Sequence, residues 1–172
     1  MKKDVVGVES HFMSDAEIIN PFDLFDLPLT LPVDLEKLKN TYFELQRQNH
    51  PDQKQSLATG EINAGLINRY YTEMKKTSNA ARYLLLHYGI EGDASTQDQE
   101  TLMEVMELEE RLAQKPSDKA GVLADINVRM NQTVSAFLDA LSEKGNKEIE
   151  KDVLLKLWQR LRFLDQLIER CS

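Results

Sequence analysis

Residues 38–54 read LKNTYFELQRQNHPDQK. Leu38, Tyr42 and Leu45 follow the three-and-four spacing of one buried helical face, and the run then meets His50-Pro51-Asp52. Proline has no N–H to donate, and its ring pushes the preceding residue out of the α region, so the helix has to stop there. An imidazole and a carboxylate are thereby held two residues apart at the mouth of a loop. The pattern predicts the tip of a helical hairpin, shaped for docking.

Working outward, Asp34 is placed to cap this helix, which continues to about Gln48 with Leu35, Leu38, Tyr42 and Leu45 on its buried stripe. Lys37, Lys39 and Arg47 fall outside that stripe. Upstream, Asn20-Pro21 opens a short apolar helix over 22–27 that Pro28 ends. Downstream, residues 53–60 have the composition of a loop. A second helix is expected from about Glu61 to Lys76, carrying Ile62, Leu66, Ile67, Tyr70, Tyr71 and Met74, with Gly65 weakening its first turns by roughly 1 kcal/mol. Two such helices joined by one short loop pack as an antiparallel hairpin, with the short helix over their seam. Ser78 then caps a helix over 79–88 that Gly89 closes.

Residues 89–97, GIEGDASTQ, are linker-like. Three longer helical patterns follow, over about 97–114, from behind Ser117 to 143, and from behind Asn146 to 170. Their stripes are Leu102/Val105/Leu108/Leu112, then Leu123/Ile126/Met130/Val134/Phe137/Leu141, then Val153/Leu157/Leu161/Leu164/Ile168. They predict an up-down-up bundle. No alternating strand pattern interrupts the series, so the fold class is all-α. The expected organisation is a tail over 1–20, a hairpin module over 21–88, a linker over 89–96 and a three-helix bundle over 97–172.

The net charge of −8 over 172 residues argues against a general nucleic-acid binder, because such binding rests on clustered Lys and Arg. The charge is uneven: 21–88 hold eight basic and eight acidic residues, and 89–172 hold eleven and seventeen. Two modules of different character fit that division. The single cysteine, Cys171, cannot form an internal disulfide or a cysteine-based zinc site. No apolar run approaches the ~20 residues that span a bilayer. The first twenty residues are too acidic for a transit peptide, and a cytoplasmic address is expected.

His50 oriented by Asp52 has the elements of a general base, as in a small hydrolase. It has no activated nucleophile, phosphate loop or second cluster of carboxylates and histidines for company. His11 lies in the tail, and His87, among leucines and tyrosines, is expected to be structural. The triplet can equally be a polar loop. Its position between two helices, behind Gln46-Arg47-Gln48 and the Tyr42-Phe43 pair, resembles the J-domain of chaperone partners. The resemblance implies that His50, Pro51 and Asp52 contact a DnaK-type ATPase chaperone and accelerate its hydrolysis of ATP, with Lys37, Lys39 and Arg47 as a basic flank. A proline-stiffened loop loses little entropy on docking, and charged groups give directional hydrogen bonds.

The resemblance extends along the chain. LFDLP at 24–28, LQRQNHPD at 45–52, LIN at 66–68, RYLLLHYG at 82–89, LMEVMELEERL at 102–112 and LRFLDQL at 161–167 are together similar to the HscB-type co-chaperones of iron–sulfur cluster assembly. That family implies an adaptor without a catalytic site of its own: the J-domain stimulates the chaperone HscA while the bundle delivers the scaffold protein IscU. It also implies a scaffold-binding surface of Leu102, Met103, Met106, Glu107, Glu110, Gln114 and Phe163. Helix geometry gathers Met103, Met106, Glu107, Glu110 and Gln114 on the outside, which suits an adaptable binding patch and equally suits scattered surface methionines on an acidic face. Phe163 lies off the core stripe, as a surface aromatic or a core-edge residue.

Gln53 stands where J-domains usually have lysine, with Lys54 next. Residues 1–20 contain no cysteine, so no metal module is expected there, and no cofactor is expected anywhere. A monomer is expected, and a J-domain protein with another client, or with a bundle that only dimerises, is the alternative.

Overall fold

The computed structural model describes residues 19–49, 63–92, 98–142 and 147–171, and among them it is built of helices with no strand. The all-α class read from the sequence holds. The helices are α1 (Pro21–Leu24), α2 (Leu35–Gln48), α3 (Ala64–Glu73), α4 (Thr77–His87), α5 (Gln99–Gln114), α6 (Lys119–Ser142) and α7 (Lys147–Cys171), with a 3-10 turn at Pro116–Asp118 before α6.

Asn20 caps α1 by accepting the Phe22 N–H at 3.0 Å, and its own amide donates to the Tyr83 carbonyl at 3.0 Å. Helix α1 stops at Leu24, earlier than Pro28 alone would require. Asp26 adopts a left-handed φ of 49°. The Leu27 N–H then reaches the Phe22 carbonyl at 2.8 Å and the Asp26 N–H reaches the Asp23 carbonyl at 3.2 Å, the double closure of a Schellman ending. Phe22, Leu24, Phe25 and Leu27 are all buried against the helices that follow. Gly89, at φ 69°, ends α4 the same way, with the Ile90 N–H on the Leu85 carbonyl at 2.8 Å.

Helices α2 and α3 form the hairpin. Asp34 caps α2 through the Glu36 and Lys37 N–H groups. Asn63 caps α3, which starts at Ala64; Glu61 and Ile62, expected in its first turn, lie outside the described residues. Tyr42 stacks on Tyr71, ring centroids 4.0 Å apart, and its hydroxyl donates to Asn68 Oδ1 at 2.8 Å. Gln46 donates to the same oxygen at 2.7 Å. Leu38, Ile67, Tyr70 and Met74 are buried between the helices and their cover. Leu35 is 56% exposed, against the expected stripe. Counting back from the Tyr42–Tyr71 contact, it projects past the end of α3.

Helices α5, α6 and α7 pack as an up-down-up bundle. Arg111 of α5 pairs with Asp125 of α6, and Glu104 with Arg129, which fixes those two helices antiparallel. Glu104 and Glu109 reach Arg160 and Arg170 of α7 in the same order, so α5 and α7 run parallel. The α6 core is Val122, Ile126, Met130, Thr133, Val134 and Phe137, with Val122 in the place expected for Leu123. Helix α7 buries Leu154, Leu155, Trp158, Leu161, Leu164 and Leu167, whereas Val153 is 42% exposed. The buried face is rotated and widened because α7 packs on α6 and on α4 together, a neighbour that the bundle pattern did not include.

The α4–α7 contact joins the two halves. Ala80 and Ala81 of α4 are fully buried and small enough for close approach. Helix α4 has no side-chain cap from its own N-cap residue, Lys76. Ser78, expected as the cap, is instead buried within the first turn, and its N–H donates to Asp165 Oδ2 of α7 at 2.8 Å. The Trp158 indole N–H donates to the Ser78 carbonyl at 2.9 Å. The guanidinium carbons of Arg82 and Arg162 lie 5.1 Å and 5.2 Å from the centroid of its ring. Lys76 pairs with Glu169, and that hydrogen bond holds its ammonium above the ordinary lysine range. Beyond α4, Ile90 packs on the core, and a Cβ placed on Gly92 would meet Leu155 Cδ1 at 2.9 Å. Ile90 and Gly92 therefore lie against the fold, while Gly89 and Glu91 are exposed.

Candidate functional site

Two surfaces hold the residues singled out in the sequence. On the first, His50, Pro51 and Asp52 lie outside the described residues, as do 53–60. Helix α2, which leads to them, is described to its end. Lys39 and Arg47 are exposed and make no ion pair among the described residues. Lys37 is engaged: its ammonium lies 2.9 Å from Asp26 Oδ2, beside the turn that ends α1. Both partners are substantially exposed, and such a pair separates at little cost. The Tyr42–Tyr71 stack and the two bonds to Asn68 hold the last turns of α2 against α3, so Arg47 sits on a fixed helix end. A cation in that last turn also suits the helix dipole.

Further along the hairpin, the Tyr83 hydroxyl donates to Glu73 and ties α4 to α3. Burial, then that hydrogen bond to a carboxylate, push the Tyr83 phenol well above its ordinary range. His87 is exposed in the last turn of α4, edge-on to Tyr88, and is not a core residue.

The second surface is the outer side of α5. Asp98 caps this helix, accepting from the Thr101 N–H and hydroxyl at 3.2 Å and 2.6 Å. The hydroxyl bond holds the Asp98 carboxyl below the usual carboxylate range. With its polar groups satisfied, Thr101 is buried and takes the inner position at the start of the Val105/Leu108 face. Leu102 is displaced outward and is 43% exposed, which corrects the inward placement expected from the stripe. It stands beside Met103 and Met106, 72% and 59% exposed. Glu107, Glu110 and Gln114 are exposed on the same side, and Gln114 donates to Glu110 at 2.7 Å. Three apolar side chains edged by carboxylates make a patch of the adaptable kind found at binding surfaces.

Underneath, Glu104 is nearly covered and accepts from Arg129 of α6 at 2.7 Å and from Arg160 of α7 at 2.8 Å. This clamp holds α5 to both partners and fixes the patch above it. Sequence patterning missed it, because the three residues are far apart in the chain and each looks like an ordinary surface charge. Phe163 lies on the side of α7 that faces α5, between Arg160 and Arg170, and is partly buried against the core. It is a core-edge aromatic rather than a fully exposed one. Among the described residues no group of His, Cys, Asp or Glu side chains is arranged to hold a metal ion, and no helix is long and apolar enough to cross a membrane.

Residues 97–172 match the family model described as the HSCB C-terminal oligomerisation domain. The co-chaperone protein HscB homolog of Psychromonas ingrahamii is 31% identical over 159 residues, covering 88% of this chain and 92% of that protein. The solved structure of chaperone HscB from Vibrio cholerae is similar with a TM-score of 0.64 at 26% identity, covering 88% of this chain and 95% of that one. The human co-chaperone protein HscB gives a TM-score of 0.68 over 98% of this chain and 92% of that chain, at 21% identity, a likeness of fold.

Proposed function

The chain belongs to the HscB family of co-chaperones, and on that premise we propose that it is a two-module adaptor of iron–sulfur cluster assembly. The module over 21–88 stimulates ATP hydrolysis by the DnaK-type chaperone HscA through His50, Pro51 and Asp52, flanked by Lys37, Lys39 and Arg47. The bundle over 97–172 binds the scaffold IscU through Leu102, Met103, Met106, Glu107, Glu110, Gln114 and the edge of Phe163. It brings that client to the same chaperone, in the cytoplasm, without a catalytic site or cofactor of its own. The observation that carries this proposal is the exposed Leu102–Met103–Met106 face, held over a charged clamp on a different helix from the one that leads to His50.

Joining two binding sites on one body raises the effective concentration of client beside chaperone. The α4–α7 contact favours a stiff body, since Trp158 and Asp165 both bond the backbone of Ser78. The test is a pull-down with purified IscU followed by an ATPase assay with HscA. His50→Gln is expected to abolish stimulation and leave IscU binding intact. If IscU is not retained by the wild-type protein, the client assignment fails. Turnover of a small substrate by the protein alone, lost in His50→Gln, would favour the hydrolase instead.

The description of the matching family as an oligomerisation domain favours a second reading, in which the same apolar face joins two copies of this chain. Light scattering on the purified protein separates the two: a monomer supports client binding, and a dimer dissociated by Met103→Glu supports self-association.

A further inference from the structure

On α2, two ridges of exposed side chains run side by side. Glu36, Asn40 and Glu44 make one, and Leu35, Lys39, Phe43 and Arg47 make the other, each spaced by four residues and so stacked along the helix. The second ridge alternates apolar and cationic groups. Phe43 is its centre, 56% exposed, with Lys39 one turn before it and Arg47 one turn after. The only ring it meets among the described residues is Tyr42, tilted at a centroid distance of 5.5 Å. The aromatics that build this half of the core, Phe22, Phe25 and Tyr70, are all buried, and Tyr42 fills the seam with α3. Among the described residues, nothing but the edge of Tyr42 is seen to use the ring of Phe43.

We propose that Phe43 is an apolar anchor of the chaperone-docking surface, seated in a pocket of the ATPase partner whose rim is acidic and meets Lys39 and Arg47. The proposal rests on the co-chaperone function proposed above. Interface centres are enriched in aromatics and arginine, and one well-packed ring carries more binding energy than the contacts around it. The acidic character of the rim follows from charge. In a chain of net charge −8, these two cations are left without ion pairs among the described residues and flank one exposed ring. Arg47 also stands three residues before His50 in the sequence. Phe43 supplies affinity that salt does not screen, and Lys39 and Arg47 supply the screened part.

The experiment is the full-length protein titrated against HscA ATPase at low and high salt, as wild type, Phe43→Ala, Phe43→Leu and Lys39→Ala/Arg47→Ala. Phe43→Ala is expected to raise the half-maximal concentration about ten-fold, to keep the plateau rate and to keep the wild-type salt dependence. Phe43→Leu restores most of the affinity, and the double cation variant flattens the salt dependence. Helix content by circular dichroism stays at the wild-type level in every variant. If the wild type stimulates and Phe43→Ala stays within about two-fold of it, this inference is overturned and the co-chaperone function stands. If the wild type gives no stimulation, both fall. A dimer abolished by Phe43→Ala, with an unchanged ATPase curve, would assign the ridge to a second copy and overturn the inference.

Discussion

Replacing Asp165 by alanine removes the acceptor that the first turn of α4 takes from another helix. The early N–H groups of a helix have no partner within it, and the N-cap residue of α4, Lys76, supplies none. Asp165 Oδ2 accepts the Ser78 N–H at 2.8 Å, across 87 positions of chain, with Ser78 only 4% exposed. Loss of a side-chain cap costs about 1 kcal/mol. The carboxylate also places negative charge at a helix N-terminus, worth about 0.3–1 kcal/mol. These overlap with the cost of stranding a buried donor, about 1–3 kcal/mol, so the expected loss is about 1.5–2 kcal/mol. For a chain of this size that lowers Tm by about 3–8 °C. Asp165→Asn keeps an acceptor oxygen and loses only the charge, at about 0.5–1 kcal/mol. Urea denaturation followed by tryptophan fluorescence is the assay, because Trp158 is the sole tryptophan and is bonded to the same serine. Its native emission should shift to the red in Asp165→Ala. A loss below about 0.5 kcal/mol, with unchanged emission, would refute capping of α4 from α7.

Two other perturbations probe the frame around the sites. Glu104→Gln leaves the guanidinium groups of Arg129 and Arg160 facing each other across a neutral amide, with side chains 21% and 27% exposed. Thermal unfolding should show a loss of about 2 kcal/mol, and no measurable change would mean that the clamp is an ordinary surface pair. The raised Tyr83 phenol gives a pH dependence of definite sign. A group whose folded pKa lies above its unfolded value contributes stability that is fully present below the ordinary tyrosine value of about 10, and that is lost as pH rises past it. Urea midpoints should therefore fall on going above about pH 10, and Tyr83→Phe should reduce that slope while costing about 1 kcal/mol at neutral pH through loss of the Glu73 hydrogen bond. An identical slope in the variant would place the alkaline loss elsewhere.

Helix existence was legible in the sequence wherever a cap and an apolar stripe agreed. Asn20-Pro21, Asp34 and Gly89 mark the boundaries that the structure shows, since capping is local chemistry between residues two to four apart. The errors share one cause, which is that periodicity names a face and not its neighbour. Val153 lost its place in the core because α7 also packs on α4, a contact between segments some eighty residues apart. Leu102 was turned outward by Thr101, whose capping hydrogen bonds make a polar residue acceptable inside. On the candidate sites, the outward side of α5 was readable from helix geometry, and Met103, Met106, Glu107, Glu110 and Gln114 are together there. The Glu104–Arg129–Arg160 clamp was not readable, because pairing of distant charges leaves no periodic trace.

The central claim is that one surface chooses the client and another drives the chaperone. Calorimetric titration of IscU into the wild type and into Met103→Ala/Met106→Ala, with HscA stimulation measured on the same two samples, tests it most directly. Truncating two exposed anchors at about 1 kcal/mol each should weaken IscU binding about thirty-fold, while stimulation of HscA by the protein alone stays at the wild-type level. IscU affinity within about two-fold of wild type, in a variant that unfolds at the wild-type temperature, would contradict the claim.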